Sequence, residues 1–279
     1  MDNIFSRWVA ILLTSAPPLP VVPVAVLAES DAQWSQATAL AARLSLPWST
    51  ARERPSAELL LTVTSSRLEL RSRDPVEGGA IYCEFVTGKA GFRRHHEGGL
   101  QQPLARAVGL RGNRPLTILD ATPGLGQDAF VLASLGAEVR MVERAPVVAA
   151  LLADGLRRLA DHLRQRGDVP LPLSLTQGDA RLVLADLSLT QDERPAVVYL
   201  DPMYPHRDGS ALSRKEMRRL RRLVGEDGDA AELLAVALTV ARQRVVVKRP
   251  RLAATLDGRP PSMAIHSKNT RFDVYLVDL

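Results

Sequence analysis

The second part of the sequence alternates apolar, strand-like segments with amphipathic, helix-like segments, and this alternation constrains the fold more than any other feature. The apolar segments lie at 116–121, 138–144, 171–176, 196–201 and 243–249. Such alternation is typical of a mostly parallel sheet that helices cover on both faces. Two further segments, 263–268 and 271–278, predict a terminal antiparallel hairpin. We therefore predict an α/β fold with a doubly wound, Rossmann-like sheet of seven strands, five parallel and two in the hairpin.

The part of the chain before this alternation has a different organisation. Its residue pattern predicts a strand at 23–28, a helix capped by Ser30 or Asp31, a hairpin with its turn at Ser65-Ser66, and a further strand at 80–86. We therefore divide the chain into a disordered extension (1–20), a small α+β subdomain (21–110) and the Rossmann-like domain (111–279).

Charge and cysteine content limit the compartment and the partners. The 279-residue chain carries a net charge of +5 with a pI of about 9.8, which favours a polyanionic partner such as nucleic acid without showing one. Its single cysteine, Cys83, excludes an internal disulfide and any multi-cysteine metal site, and we expect it in the core. The apolar run near the N-terminus is too short for a membrane span and contains four prolines. These features predict a cytoplasmic protein without a membrane partner.

A glycine-containing turn follows the first strand of the alternating part. Asp120, Gly124 and Gly126 lie between that strand and a helix, where glycines allow a sharp turn and close approach of a ligand. Glu143 ends the second strand, where an acid can bind a ribose diol. Ala129 replaces the third glycine of a dinucleotide fingerprint, and Gln127-Asp128 places negative charge where a pyrophosphate would bind. The pattern favours a nucleoside ligand without phosphates, such as S-adenosylmethionine (SAM), although a plain tight turn remains the alternative.

A second acid follows the third strand of the alternating part. Asp179, with Ala180 after it, can reach the adenine of such a ligand, because ligands bind outside the carboxyl ends of parallel strands. A helix-capping aspartate at this position is an equally good interpretation.

The segment Asp201-Pro202-Met203-Tyr204 ends the fourth strand, which we expect beside the first. Alkylation of an exocyclic base amine needs these residue types, because such an amine is a poor nucleophile that must be held in line with the methyl donor. Asp201 and the Pro202 carbonyl can accept the amine N–H bonds, and Tyr204 can stack on the base. These three are the predicted catalytic residues. The alternative is a strand-ending turn with Tyr204 in the core, and Met203 has no assigned role.

Basic residues near these segments predict contacts with RNA phosphates, which position a substrate without reading its sequence. The helix at 213–225 places Met217, Leu220 and Val224 on one face and its cations elsewhere, and an ordinary solvated helix is the alternative. The predicted RNA-binding residues are Arg93, Arg94, Lys215, Arg218, Lys248 and Arg249. The adjacent histidines 95 and 96 have no third ligand nearby, so we predict no metal site.

Several segments closely resemble the bacterial 16S ribosomal RNA guanine-N2 methyltransferase family known as J, which modifies guanine 1516. They are 119–156, "VVYLDPMYPHR", "KEMR" and "RVVVKRP", with weaker likeness elsewhere from about residue 23 onward. The resemblance implies a class I SAM-dependent methyltransferase fold and a monomeric, cytoplasmic enzyme. Its cofactor contacts carry over to Gln127-Asp128, Glu143-Arg144, Asp179-Ala180 and Asp201. Departures from the family pattern include Pro123, Gln127, Gly178-Asp179 and Tyr204 in place of Phe.

The residues and the resemblance together predict SAM-dependent methylation of a guanine N2 in 16S ribosomal RNA, with the RNA or the small ribosomal subunit as partner. Methylation of another exocyclic base amine, or of a glutamine amide, remains open within the same chemistry. A nicotinamide-dependent oxidoreductase and a non-catalytic RNA-binding module are the alternatives from other classes.

Overall fold

The computed structural model describes residues 22–53, 56–87, 99–112, 115–187, 193–203, 211–225 and 228–277, without the side chains of Pro75 and of residues 211–214. The predicted extension lies outside this part. In the described ranges, helices are too short or too polar to cross a membrane. The strands are β1 (Val24–Ala28), β2 (Trp48–Thr50), β3 (Leu59–Val63), β4 (Leu68–Ser72), β5 (Thr117–Asp120), β6 (Glu138–Glu143), β7 (Leu173–Gln177), β8 (Val197–Leu200), β9 (Arg244–Pro250), β10 (Met263–His266) and β11 (Thr270–Leu276). The α-helices are α1 (Trp34–Leu44), α2 (Pro103–Val108), α3 (Gln127–Ser134), α4 (Pro146–Arg166), α5 (Ala180–Leu187), α6 (Ala211–Val224) and α7 (Ala230–Val240).

The large sheet has seven strands in the order β10-β11-β9-β8-β5-β6-β7. The five strands from β9 to β7 are parallel, and β11 runs antiparallel to both β9 and β10. The predicted doubly wound sheet and terminal hairpin are therefore confirmed. The order places β8 directly beside β5, so the fourth-strand segment and the glycine turn leave the sheet at the same edge.

Helices cover both faces of this sheet because alternate strand residues point to opposite sides. Ile118 belongs to one hydrophobic core with α3 and α4, whereas its neighbour Leu119 belongs to a second core with α5 and α7. Helix α3 ends before Gly136, whose φ of 96° is the left-handed conformation predicted for a helix stop. The result is a helix–sheet–helix sandwich whose strand ends form one edge.

The N-terminal part forms a second sheet in the order β2-β1-β3-β4. Strands β3 and β4 form the predicted hairpin, and β1 runs parallel to both β2 and β3. This sheet shares a hydrophobic core with α3 and α4. Helix α2 lies before residue 110 yet packs against β9, β10 and β11 of the large sheet. The boundary at residue 110 stays a prediction.

The predicted strand at 80–86 is wrong except for one bridge between Ile81 and Leu70. This segment packs on α4 instead of joining a sheet. The Arg158 guanidinium donates a hydrogen bond to the Cys83 carbonyl, which a ladder partner would otherwise occupy. Gly155 permits the close approach, because a Cβ there would lie 2.6 Å from the Cys83 Cβ. Cys83 itself is buried, as predicted, and burial raises the pKa of its thiol.

Candidate active site

A cavity of about 400 Å³ lies outside the carboxyl ends of β5, β6, β7 and β8. Its volume is in the range of small-molecule sites. Nine of the ten predicted cofactor residues line it: Asp120, Gly124, Gln127, Asp128, Glu143, Arg144, Asp179, Ala180 and Asp201. The strand ends thus bring together residues that are up to 81 positions apart in the chain.

The two glycines of the turn have different roles. Gly124 has a φ of 53°, and a Cβ placed on it would meet no atom within 4 Å, so this backbone faces open space in the cavity. Gly126 has a φ of 73°, and its Cβ would lie 2.6 Å from Leu152 Cδ1 on α4. Gly126 does not line the cavity, in contrast to the prediction. Its missing side chain instead allows α4 to pack closely.

Thr122 connects the glycine turn to the fourth-strand segment, and sequence reasoning missed it. Its backbone N–H donates to Asp120 Oδ1 at 3.2 Å, and its Oγ1 accepts a hydrogen bond from the Asp201 backbone N–H at 2.6 Å. A hydroxyl residue two positions after a strand-ending acid was the available signal. The two loops are therefore fixed to each other before any ligand binds.

Asp120, Asp128, Asp201, Tyr199 and Lys248 form an acid–lysine cluster on one side of the cavity. Lys248 Nζ lies 2.7 Å from Asp128 Oδ2 and 2.9 Å from Asp201 Oδ2. The Tyr199 hydroxyl donates to the same Asp128 oxygen at 2.7 Å. Tyr199 lies in the middle of an apolar strand, and sequence reasoning missed it. Lys248, predicted to contact RNA, instead joins an acid of α3 to the acid of β8.

The cluster changes the pKa of three of its groups. Burial lowers the pKa of Lys248, but Asp201 and Asp128 outweigh burial and raise it overall, so the ammonium stays protonated. Burial raises the pKa of the Tyr199 hydroxyl, and the neighbouring carboxylates raise it further. Burial also raises the pKa of Asp120 well above its ordinary value, although the Thr122 N–H and Lys248 oppose the shift.

Arg144, Asp179, Arg181, Asp229 and Glu232 form an arginine network on the opposite side of the cavity. Arg144 Nη1 lies 2.7 Å from Asp229 Oδ2, and Arg181 Nη2 lies 2.6 Å from Asp179 Oδ2. Arg181 also pairs with Asp229 and Glu232. The hydrogen bond from Arg181, together with its charge, lowers the pKa of Asp179 despite partial burial.

Asp179 both caps a helix and lines the cavity, the two positions that its place in the sequence suggested. Its Oδ1 accepts the backbone N–H of Arg181 at 2.8 Å at the start of α5, which is a helix-capping contact. Asp179 and Ala180 also line the cavity. Glu143, at the end of β6, is buried, and its Oε1 accepts the Ala145 N–H at 2.8 Å. Both acids lie where a nucleoside would extend from the glycine turn.

The fourth-strand segment is described only in part. Asp201 and Met203 line the cavity, and Pro202 is buried there. Met203 also packs against the core, which gives this residue a role in the cavity wall. Tyr204 lies outside the described residues, so its predicted stacking stays a prediction.

Helix α6 is more than a solvated charged helix. Met217, Leu220 and Val224 form its apolar face, as predicted, and they line the cavity. Its cations attach the helix to the N-terminal unit: Arg219, buried, donates to the Gly79 carbonyl, and Arg222 pairs with Glu58 and Glu77. Sequence reasoning missed these two arginines, because their partners lie about 140 residues earlier in the chain.

The predicted RNA-binding residues have different surroundings. Lys215 Nζ donates to the Val76 carbonyl at 2.8 Å. Arg218 is exposed. Arg249 is 5% exposed and donates to the Ala254 carbonyl, so its guanidinium is not available to a phosphate in this arrangement. Arg93 and Arg94 lie outside the described residues. RNA contact by these residues therefore stays a prediction.

The cavity fits SAM by its volume and its polar groups. The open side of Gly124 allows close approach, and Glu143 and Asp179 provide acceptors for a ribose and an adenine. Within the described part of the chain, His, Cys, Asp and Glu side chains form no group of three that could hold a metal ion.

Comparisons with known proteins agree with this geometry. The family model described as putative SAM-dependent methyltransferase matches residues 40–277. A protein of Thioalkalivibrio sulfidiphilus named ribosomal RNA small subunit methyltransferase J is 50% identical over 86% of this chain and 92% of its own length. The protein of that name from Aeromonas salmonicida is 47% identical over 90% of this chain and 97% of its own. A SAM-dependent methyltransferase structure from Neisseria gonorrhoeae is 36% identical, with a TM-score of 0.67 over 90% of this chain and 95% of that one.

Proposed function

The chain belongs to the ribosomal RNA small subunit methyltransferase J family of SAM-dependent methyltransferases, and from that membership we propose that it methylates the exocyclic N2 of a guanine in 16S ribosomal RNA. The predicted family, fold class and cofactor are thereby confirmed. Guanine 1516 is the target that the resemblance implies. We include in the proposal that the enzyme acts in the cytoplasm as a monomer, on the RNA or on the small subunit.

One observation carries this proposal: Asp201 lies in the same cavity as the glycine turn and Glu143. Strand β8 pairs with β5, and the Thr122 hydroxyl accepts the Asp201 N–H, so the amine acceptor has a fixed position beside the cofactor half of the cavity. A pure RNA-binding module would need neither acid. The negative Asp128 at the start of α3 also disfavours the pyrophosphate of a nicotinamide dinucleotide.

The chain's own residues orient the guanine amine and keep water out. SAM, when bound, supplies an electrophilic methyl group. The Asp201 carboxylate and the Pro202 carbonyl accept the N–H bonds of the amine, which favours positive charge on its nitrogen. Lys248 keeps a positive charge beside Asp201, so that side chain remains an acceptor. The methylated amine is acidic and releases its proton without a strong base. Met203 and the apolar face of α6 close the cavity wall.

Methyl transfer to unmethylated ribosomal RNA tests this proposal. We expect the protein to transfer one methyl group to 16S ribosomal RNA from cells that lack the enzyme, and mass mapping should find it on a guanine N2. A methyl group on another base, or on a glutamine of a ribosomal protein, would contradict the proposal. Calorimetry with S-adenosylhomocysteine and with NAD(P) tests the nicotinamide alternative, which tighter binding of NAD(P) would favour.

Asp201→Ala tests the amine-acceptor role. We expect methyl transfer to fall by about 100-fold or more, because an oriented acceptor is removed from the reacting nitrogen. Binding of S-adenosylhomocysteine should weaken but remain measurable. The matched control is Asp161→Ala, which changes a half-exposed aspartate on α4 that pairs only with surface arginines in the described structure. Near-normal transfer by Asp201→Ala would show that another group accepts the amine.

A further inference from the structure

Most of the described residues that were predicted to bind RNA instead contact other groups of the protein. Lys248 lies between two carboxylates, Arg249 donates to Ala254, and Lys215 donates to Val76. A substrate RNA must nevertheless reach Asp201 at the end of β8. Exposed cations on the same edge of the sheet, on the side of β8 away from the cofactor half, are therefore the surface to consider.

Such a surface lies where β9 ends. Strand β9 runs parallel to β8, so Arg251, directly after β9, leaves the sheet at the same edge as Asp201. Pro250 pairs with Thr270, the first residue of β11, and this register places the β10–β11 turn next to Arg251. Lys268 lies in that turn. We call Arg251, Leu252 and Lys268 the basic corner.

The basic corner is exposed and carries uncompensated positive charge. Arg251 and Lys268 are exposed, and neither forms an ion pair with any described carboxylate. Asp273 on β11 is buried in a bidentate pair with Arg271. Leu252 is 94% exposed at the tip of the corner. The Arg251 Nη1 donates to the Lys268 carbonyl at 3.5 Å, which keeps the two residues adjacent. An exposed apolar side chain next to two exposed cations matches a nucleotide strand, which presents phosphates beside flat bases.

Backbone hydrogen bonds hold the basic corner in position. The Ser267 N–H and hydroxyl both donate to the Thr270 carbonyl, at 2.8 and 3.2 Å, and close the turn that carries Lys268. The Arg251 N–H donates to the Asn269 carbonyl at 3.1 Å, and its carbonyl accepts Arg271 Nη1 at 3.2 Å. The two cations therefore start from a fixed backbone, which lowers the ordering cost of binding.

We propose that the basic corner binds the single-stranded RNA backbone next to the target guanine, with Arg251 and Lys268 on phosphates and Leu252 against an unstacked nucleotide. The assignment rests on the proposed function. A single strand is required, because the guanine N2 must leave its stack to enter the cavity. The corner lies on the side of Asp201 opposite to the cofactor half, so the strand and the cofactor approach the acid from different sides.

The double variant Arg251→Gln/Lys268→Gln tests the proposal by its affinity for unmethylated 16S ribosomal RNA across a salt series. Each lost phosphate contact should weaken binding about fivefold at about 0.1 M salt and reduce the slope of log affinity against log salt by about 0.7. Binding of S-adenosylhomocysteine should not change. Leu252→Asn should weaken binding about twofold to threefold without changing the salt slope, because no charge is lost.

The matched control is Arg242→Gln/Arg164→Gln, which removes two exposed arginines from the opposite edge of the sheet, before β9 and at the end of α4. Weaker RNA binding and a smaller salt slope in the corner variant alone support the proposal. Equal losses in both double variants, or wild-type affinity in the corner variant, overturn it while the proposed function stands. A wild-type protein that neither binds nor methylates this RNA overturns both.

Discussion

The acid–lysine cluster and the arginine network lie at one edge of the same sheet, yet they shift the pKa of their aspartates in opposite directions. In the cluster, Asp120 is fully buried near Asp128 and Asp201, which share the Lys248 ammonium, and burial raises the pKa of Asp120 well above the ordinary value. In the network, Asp179 is half-buried and pairs with Arg181 at 2.6 Å, and its pKa is lowered.

The contrast follows from the number of cations for each acid and from their contact with water. In the cluster the two carboxylates of Asp128 and Asp201 share one ammonium, which leaves an excess of negative charge that a developing cation on the guanine amine can reduce. In the network two guanidinium groups pair with three acids, and side chains such as Glu232, 64% exposed, remain in solvent. We infer that the cluster controls the chemical step and that the network controls cofactor affinity.

Lys248→Met should separate the two regions most strongly. Without the ammonium, the nearby Asp120 and Asp128 side chains disfavour a negative charge on Asp201, so its carboxylate form requires a higher pH. We expect methyl transfer at saturating substrates to fall by about 10- to 100-fold. The pH below which activity is lost should also rise, and a pH profile of the maximal rate measures both effects.

Lys248→Arg is the control for this prediction, because it keeps the positive charge in a different shape. It should recover part of the rate and restore the acidic limb of the profile toward wild type. A lysine that only supports packing would lower the rate without moving the pH profile. That result in Lys248→Met would contradict the role of Lys248 as a positioning residue for Asp201.

Arg181→Gln should have a smaller effect, confined to cofactor binding. The substitution leaves Asp179 without its main partner and removes contacts to Asp229 and Glu232. We expect S-adenosylhomocysteine to bind about fivefold more weakly, which corresponds to about 1 kcal/mol. The maximal rate at saturating SAM should stay within about twofold of wild type. Calorimetry gives the first quantity and steady-state kinetics the second.

Arg157→Gln is the matched control for Arg181→Gln. Arg157 also pairs with two acids, Asp154 and Asp161, but on the exposed surface of α4 away from the cavity. Its substitution should leave both cofactor affinity and rate unchanged. A loss of maximal rate in Arg181→Gln, with unchanged affinity, would assign the network to the chemical step and remove the distinction between the two regions.

The sequence predicts the sheet well because each strand has a recognisable apolar pattern of its own. Apolar segments between helical patterns identify β5 to β9, and acids at strand ends identify Asp120, Glu143 and Asp201. The segment at 80–86 has the same apolar pattern, but its backbone partner is Arg158 on α4. A bond between residues 75 positions apart leaves no local signal, so the pattern alone predicts a strand that the structure lacks.

The same limit explains why the surroundings of several site residues were not predicted. Lys248 at a strand end is typical of an exposed cation, and only the positions of α3 and β8 show the two carboxylates around it. Tyr199 is indistinguishable from a core residue until Asp128 is placed beside its hydroxyl. Residues at strand ends are therefore predictable one by one, whereas the partners that determine their charge come from the tertiary structure.

The substitution of Asp by Asn at positions 120 and 179 should have opposite effects on stability. The folded pKa of Asp120 lies above its unfolded value, so ionisation costs stability as the pH rises through that range. Asp120→Asn cannot ionise and can still accept the Thr122 N–H. We expect its Tm to exceed wild type by about 2–4 °C at about pH 8, equivalent to about 1 kcal/mol. The gain should shrink as the pH falls and vanish toward about pH 3, where Asp120 is mostly protonated in both states.

Asp179→Asn should change Tm in the opposite direction in the same assay. The folded pKa of Asp179 lies below its unfolded value, so its pair with Arg181 adds stability above the unfolded pKa and loses it as the pH falls through the folded pKa. We expect this variant to melt about 1–3 °C below wild type at about pH 8, with the deficit closing in acid. Thermal unfolding of the ligand-free protein at both pH values measures the pair. If both variants changed Tm in the same direction at about pH 8, burial and the number of neighbouring cations would not explain the opposite pKa shifts in the two regions.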